Sequence, residues 1–245
     1  MIVMPPMPRQ QEEVWLNLFH ITERLPDGWA LIGGQMVHRH CAERGAEPHR
    51  TTTDGDAVVD IRADRTMLTR FTEELQRLGF ASVGASAEGH EHRWRNGMAV
   101  IDVLVATNLG RSQKVTGATG STTVGARGAQ QALDRAALVE VRVGTRTGKV
   151  RLPNLVGAMV IKGAATSVPT GDRQRHKVDF ALLATLIRPS DDFTDLTRRD
   201  RQHFTRGIEA VGNSQAAHEV AGWRTAMLRL ELAMQPKQQT DGDTN

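Results

Sequence analysis

The stretch Arg50-Thr51-Thr52-Thr53-Asp54-Gly55-Asp56-Ala57-Val58-Val59-Asp60-Ile61 decides how the rest of the chain is read. Its second half mixes acidic residues with β-branched ones and predicts a strand. Successive side chains of a strand alternate faces, so Asp54 and Asp56 point the same way. Two carboxylates side by side repel unless a cation sits between them. A solvated turn is the competing reading, because Asp-Gly is a common turn dipeptide. Asp60 shares their face if the strand is regular.

Two flanking segments bear on that choice. Upstream, Leu31-Ile32-Gly33-Gly34 puts two glycines where a strand becomes a helix. There, backbone N–H groups can approach an anion and the helix N-terminus favours its charge. Downstream, Ala99-Val100-Ile101-Asp102-Val103-Leu104-Val105 sets one aspartate inside an otherwise apolar strand. A buried carboxylate needs a partner, either an arginine or a metal. A metal shared with Asp54 and Asp56 explains its position better. Mg²⁺ prefers oxygen ligands and keeps part of its shell for substrate phosphates. Two such ions, roughly 3.5–4 Å apart, can hold an attacking hydroxyl and a leaving pyrophosphate. Phosphoryl chemistry then needs mainly positioning and charge neutralisation.

The run GGQMVHRHCAERGAEPHRTTTDGDAVVD, residues 33–60, resembles the signature of the DNA polymerase β-like nucleotidyltransferase superfamily. Gly-Gly, helix, then Arg-x-Thr-x-Asp-x-Asp is similar to AbiEii/AbiGii-type and MenT-like nucleotidyltransferases. The motif match covers about residues 29–106. Gly55 stands where the family usually has Ile or Val. The resemblance implies an α/β (α+β) fold: a nucleotidyltransferase-type mixed sheet with flanking helices, then a C-terminal helical bundle. It implies Asp54 and Asp56 as metal ligands and Asp102 as third carboxylate, whether base or ligand. Gly33, Gly34, Arg50 and Thr52 would contact the nucleotide.

A weaker echo of the family follows in the helical half. Lys162, in Met159-Val160-Ile161-Lys162-Gly163-Ala164-Ala165, matches the family's lysine after the core. Arg173, Arg175, Lys177 and Asp179 match its basic turn and following aspartate. The apolar flanks of Lys162 fit an inward ammonium reaching a triphosphate, against a lysine snorkelling from a helix edge. Lys177 and the arginines would neutralise phosphate charge. Asp179 would fix Lys162 or Lys177.

The implied activity is transfer of NMP from an NTP to an acceptor hydroxyl, with Mg²⁺ as cofactor and Mn²⁺ as its substitute. The resemblance points to a toxin of a type IV toxin–antitoxin-like system, with tRNA 3′ ends as acceptor and a cognate antitoxin as partner. The alternatives are a small-molecule acceptor, such as an aminoglycoside hydroxyl, and an inactive fold that only binds nucleotide or a partner.

The remaining sequence divides accordingly. Residues 1–9 are Pro- and Met-rich and read as a flexible arm. Residues 10–152 form the catalytic domain, 153–234 a helical domain and 235–245 a disordered tail. Helices are expected over about 10–25, 35–44, 64–78 and 129–137, from apolar residues at helical spacing. The first carries Val14, Leu18, Ile21 and Leu25, widened by Trp15 and Phe19. Strands are expected over 29–32, from 54, in two short pieces within 80–95, and over 98–106. Residues 107–128 read as a long Gly/Ser/Thr-rich loop. A hairpin at 138–144 and 149–152 precedes helices over about 153–165, 176–188, 195–211 and 214–234.

Composition narrows the class. The chain has 245 residues, 39% apolar and 24% charged, near the globular range and slightly polar. A net charge of +3 fits an anionic partner but weighs little alone. A single cysteine, Cys41, rules out an intrachain disulfide and a Cys-based zinc site; it reads as a small buried residue. No signal-peptide pattern is evident, and no apolar run nears the roughly 20 residues needed to span a bilayer. A cytoplasmic location, away from membranes, is therefore expected. His38 and His40 fall on different helix faces, and His90 and His92 read as packing residues rather than metal ligands.

Overall fold

In the computed structural model, residues 1–106, 115–168 and 173–235 are described. The pivotal stretch is strand β3, Asp54–Val59, and it is an interior strand of a mixed sheet. Before it in the chain come β1 (Ile2–Val3), α1 (Arg9–Arg24), β2 (Trp29–Ile32) and α2 (Gly33–Arg44). After it come α3 (Met67–Arg77), β4 (Ala81–Ser82), β5 (Arg93–Asn96), β6 (Ala99–Ala106) and β7 (Val124–Ala126). The sheet runs β2-β3-β6-β5-β4, with β7 also pairing β6. β3 and β6 are parallel, whereas β2–β3 and β5–β6 are antiparallel.

The order matters because it brings the two aspartate-bearing strands side by side. Register pairs Asp56 with Asp102, and Asp54 with Val100. Paired residues share a face, so all three carboxylates project from one side. The opposite side is covered by α1, whose buried stripe includes Val14, Trp15, Leu18 and Ile21 as expected. Gly55 points at that side. A Cβ there would stand 2.7 Å from the Val14 side chain, so Val14 occupies the volume that a branched residue would need. Glycine between the aspartates therefore does not disturb the strand.

A second sheet of order β1-β8-β9 is built on the hairpin of β8 (Ala136–Val143) and β9 (Arg146–Pro153). Helix α4 (Ala129–Asp134) leads into it, and helices follow: α5 (Leu155–Ala165), α6 (Arg173–Thr185), α7 (Arg198–Gly212), α8 (Gln215–His218) and α9 (Trp223–Ala233). The mixed sheet with flanking helices, then a helical C-terminal part, matches the expected class. A single cluster of buried apolar side chains joins both halves, from Met4 to Leu230.

Several details differ from expectation. The first residues are not a loose arm: Ile2 and Val3 pair with β8, and Met4 is buried. Asp60 is not on the strand face, since β3 stops at Val59 and the Asp60 carboxylate accepts from the backbone N–H groups of Arg62 and Ala63. The helix expected over 214–234 is broken between α8 and α9, where Gly222 takes a left-handed φ of 78°. Residues 107–114 of the long loop and 236–245 of the tail lie outside the described residues. Among the described residues no helix is long and apolar enough to cross a membrane.

Candidate active site

The cleft lies between the carboxylate face of the central sheet and α5. Its floor is set by the junction of β2 and α2. Gly33 has a left-handed φ of 71°, and a Cβ there would overlap the Asp56 carboxylate. Only glycine satisfies both the backbone and that close approach. Gly34 packs in the same way against the Thr52 side chain. Thr52 Oγ1 in turn donates to Asp54 Oδ1 at 3.0 Å. The glycine pair thus seats the two aspartates as well as opening a helix N-terminus to the cleft.

A buried polar network fixes the segment leading into β3. Gln35 Nε2 donates to the Thr52 carbonyl at 3.2 Å, and His38 Nε2 bonds the Arg50 carbonyl at 2.8 Å. Gln11 and Trp15 of α1 both donate to Gln35 Oε1, each at 2.9 Å. Burial lowers the His38 pKa, so a neutral ring makes these bonds. His40, on another face of α2, bonds the Pro153 carbonyl at 3.1 Å. Cys41 is buried with its thiol pushed up to about 12, chiefly by that burial, and is no nucleophile.

The sheet wall is electrostatically uneasy. Burial first, then the charges of Asp54 and Asp102, push the Asp56 carboxyl up to about 6, against the pull of Lys162 and Arg175. Asp102 is held differently. Arg93, its cross-strand partner on β5, grips it with a fork: Nε to Oδ1 at 2.9 Å and Nη2 to Oδ2 at 2.7 Å. The same Nη2 stands 3.8 Å from Asp54 Oδ2. Among the described residues no three His, Cys, Asp or Glu side chains converge as a ready-made metal site.

The helix wall is the reverse. Lys162 is 3% exposed and its ammonium donates to Asp179 Oδ2 at 2.7 Å. Arg50 forks onto the same carboxylate, at 3.1 and 2.9 Å. Burial alone would raise Asp179, but Lys162 and Arg50 overcome it and hold the carboxyl at about 2. His176 lines the cleft nearby and is pushed down to about 3 by burial and then by Lys162 and Arg175. It is neutral at pH 7, and its Nδ1 is buried without a hydrogen-bond partner. Arg175 and the exposed Arg127 also line the cleft.

Of the residues singled out from the sequence, Gly33, Gly34, Arg50, Thr52, Asp54, Asp56 and Lys162 line this one cleft. Asp102 lies beside Asp56 but is turned to Arg93, and Asp179 sits behind Lys162. Lys177 does not line the cleft; Arg175 and His176, earlier on the same helix, do. The sequence alone marks neither Arg93 nor His176 as a site residue. The only sequence signal for Arg93 was that a lone strand aspartate calls for a counter-charge. His90 bonds Thr122 Oγ1 at 2.9 Å, a packing role.

The donor set fits a hard divalent cation. Two carboxylates face the cleft from alternate strand positions and a third neighbours them, oxygen donors of the kind such an ion takes.

No protein-family model matches the chain, and no curated protein sequence matches it. Solved structures give distant likenesses. An antigenic nucleotidyltransferase-like protein from Paracoccidioides brasiliensis is 16% identical with a TM-score of 0.48, over 88% of this chain and 95% of that one. The antibiotic-resistance factor ANT(2″)-Ia, in solution, is 12% identical with a TM-score of 0.36, over 92% of this chain and 97% of that one. Its crystal structure with adenylyl-2″-tobramycin is 12% identical with a TM-score of 0.36, over 88% and 97%.

Proposed function

We propose that this chain is a divalent-metal-dependent nucleotidyltransferase that moves NMP from an NTP to an acceptor hydroxyl and releases pyrophosphate. The observation that carries this reading is the convergence, in one cleft, of Asp54 and Asp56 with Lys162 and the Gly33–Gly34 helix start. Asp54 and Asp56, with Asp102, would hold the metal; when bound, Mg²⁺ or Mn²⁺ supplies charge neutralisation at the reacting phosphate. The N–H groups at the start of α2 would receive an anion of the nucleotide. Lys162 and Arg175 offset the phosphate charge, and Arg50 and Asp179 hold Lys162 in place. Lys177, off the cleft, is left without a nucleotide role. In the transfer, the acceptor oxygen bonds to the α-phosphorus while the bond from that phosphorus to the pyrophosphate oxygen breaks. The hydroxyl proton leaves to a base, a role that Asp102 could take only once the Arg93 fork on both its oxygens opens.

For the acceptor we favour RNA, with tRNA 3′ ends as the target of a toxin held in check by an antitoxin. Support comes from the arginines that line the cleft, Arg127 and Arg175 beside Arg50, which suit a polyanion.

The test is incubation with each labelled NTP, Mg²⁺ and total RNA, beside a parallel reaction with aminoglycosides. Label on tRNA, absent with Asp54→Ala, is the expected result. Label only on the small molecule would replace the acceptor, and no transfer to either would remove the enzymatic reading. Growth arrest on expression, relieved by a small neighbouring reading frame, would test the antitoxin.

A further inference from the structure

Arg93 is the first residue of β5, and it stands where β5 ends its pairing with β6 and β7 takes over at Leu104. Its side chain is 43% exposed, so the guanidinium reaches solvent rather than lying in the core. From there it occupies both oxygens of Asp102 and leans toward Asp54. Its own pKa is raised, first by the bonds to Asp102 and further by Asp54 and Asp56, so it feels the whole carboxylate wall. An arginine so placed stands where a cation is called for.

We propose that Arg93 is a built-in counter-cation that competes with the divalent ion for Asp102 and Asp54, and so sets the metal affinity of the site. The inference rests on the metal-site reading above. It makes Asp102 available only when the Arg93 fork opens, so the metal-free state is held together by an internal ion pair. A like charge a few ångströms from a bound dication weakens its binding by about tenfold or more, less as salt is added. Arg93 is a positioning residue here, not one that touches the reacting atoms.

The sign of the effect separates this role from a plain structural one. If Arg93 merely orients Asp102, its removal weakens metal binding; if it competes, removal strengthens it. Mn²⁺ binding to the full chain, followed by the electron paramagnetic resonance of free Mn²⁺, reads this directly. Arg93→Gln is expected to bind Mn²⁺ about tenfold tighter than wild type, with the gap narrowing at high salt. Arg93→Lys, which keeps the charge but not the fork, should bind about two- to threefold tighter and serves if the glutamine variant fails to fold. Equal or weaker binding in the folded variants overturns the proposal. Asp54→Ala is the control: if it removes wild-type Mn²⁺ binding while the Arg93 variants change nothing, only this proposal fails. If Mn²⁺ binds no variant, or binds Asp54→Ala as well as wild type, the metal-site reading fails with it.

Discussion

The two walls of the cleft face each other with opposite charge imbalances. On the sheet wall three carboxylates, Asp54, Asp56 and Asp102, gather around Arg93, with Lys162 and Arg175 acting on Asp56 from the helix side. On the helix wall a single carboxylate, Asp179, is held by both Lys162 and Arg50, which leaves positive charge in excess. On the first wall the Asp56 carboxyl is raised, by burial first and then by Asp54 and Asp102. The second is complete in itself, and its satisfaction shows in the depressed Asp179. Mutations should therefore behave differently on the two sides. Changes on the sheet wall should cost activity and little stability, and changes on the helix wall should cost both.

The largest effect should come from the sheet wall. Asp56→Asn and Asp54→Ala should each lower NMP transfer by on the order of a thousandfold or more, because the charge that organises the phosphate is gone. Neither should lower the melting temperature, and Asp56→Asn should raise it by relieving repulsion. Gly33→Ala should match the activity loss while keeping the full carboxylate set, since the new methyl collides with Asp56. Transfer kinetics and thermal melts on the same samples check this. A clear drop in melting temperature for Asp56→Asn would break the contrast.

The helix wall gives the next largest effect. Asp179→Ala leaves the buried Lys162 ammonium without its partner, and should cost roughly 3–5 kcal/mol. Lys162→Met leaves Asp179 both of its Arg50 bonds, so its cost should be less than half as large. Urea denaturation measures both. Equal costs would mean that Arg50 contributes nothing to holding Asp179.

pH sharpens the same comparison. The Asp56 carboxyl is raised to about 6 in the folded chain, above its ordinary value. The folded state keeps a proton that the unfolded chain releases, so this stabilisation is full below the ordinary carboxylate pKa and is lost as pH rises through about 6. The metal-free protein should lose on the order of 2 kcal/mol over that window. Asp56→Asn should remove this fall, and saturating Mg²⁺ should flatten it. Asp179 has the opposite sign: its contribution is present above the ordinary value and lost only as pH falls through about 2. Denaturation curves from pH 4 to 8, for wild type and Asp56→Asn, isolate the Asp56 component.

How much of this was legible in the sequence depends on how far apart the interacting residues lie. The shared face of Asp54 and Asp56 needs only the period of a strand, and the glycine pair at the start of α2 needs only the strand-to-helix junction. The Asp102 neighbourhood needs the parallel pairing of β3 with β6, which the lone aspartate hinted at but could not fix. The Arg93 fork depends on the register of the β5–β6 hairpin, turned at Gly97 and Met98, and one residue of slip would put Arg93 on the other face. His176 was invisible because its cleft neighbours come from a different helix. Gly55 looked like a departure because the side chain filling its space, Val14, comes from α1, far upstream. The Arg50–Asp179 pair joins residues from the two halves of the chain. Local pattern could name each as charged and could not show that they neutralise each other.

The smallest effect tests how finely the sheet wall is set. Thr52 is held by Gly34 on one side and donates its hydroxyl to Asp54 on the other, while its carbonyl is fixed by Gln35. Thr52→Val keeps the shape and the backbone bond but removes that donor. One neutral-to-charged hydrogen bond is worth roughly 1.5 kcal/mol net or somewhat more, so transfer should fall about tenfold. Asp54 is still present and faces the cleft, so the melting temperature should scarcely move. If the metal supplies most of what orders Asp54, the deficit should shrink as Mg²⁺ is raised. A deficit that stays fixed at every Mg²⁺ concentration would mean that Thr52 acts on the nucleotide itself, and not through Asp54.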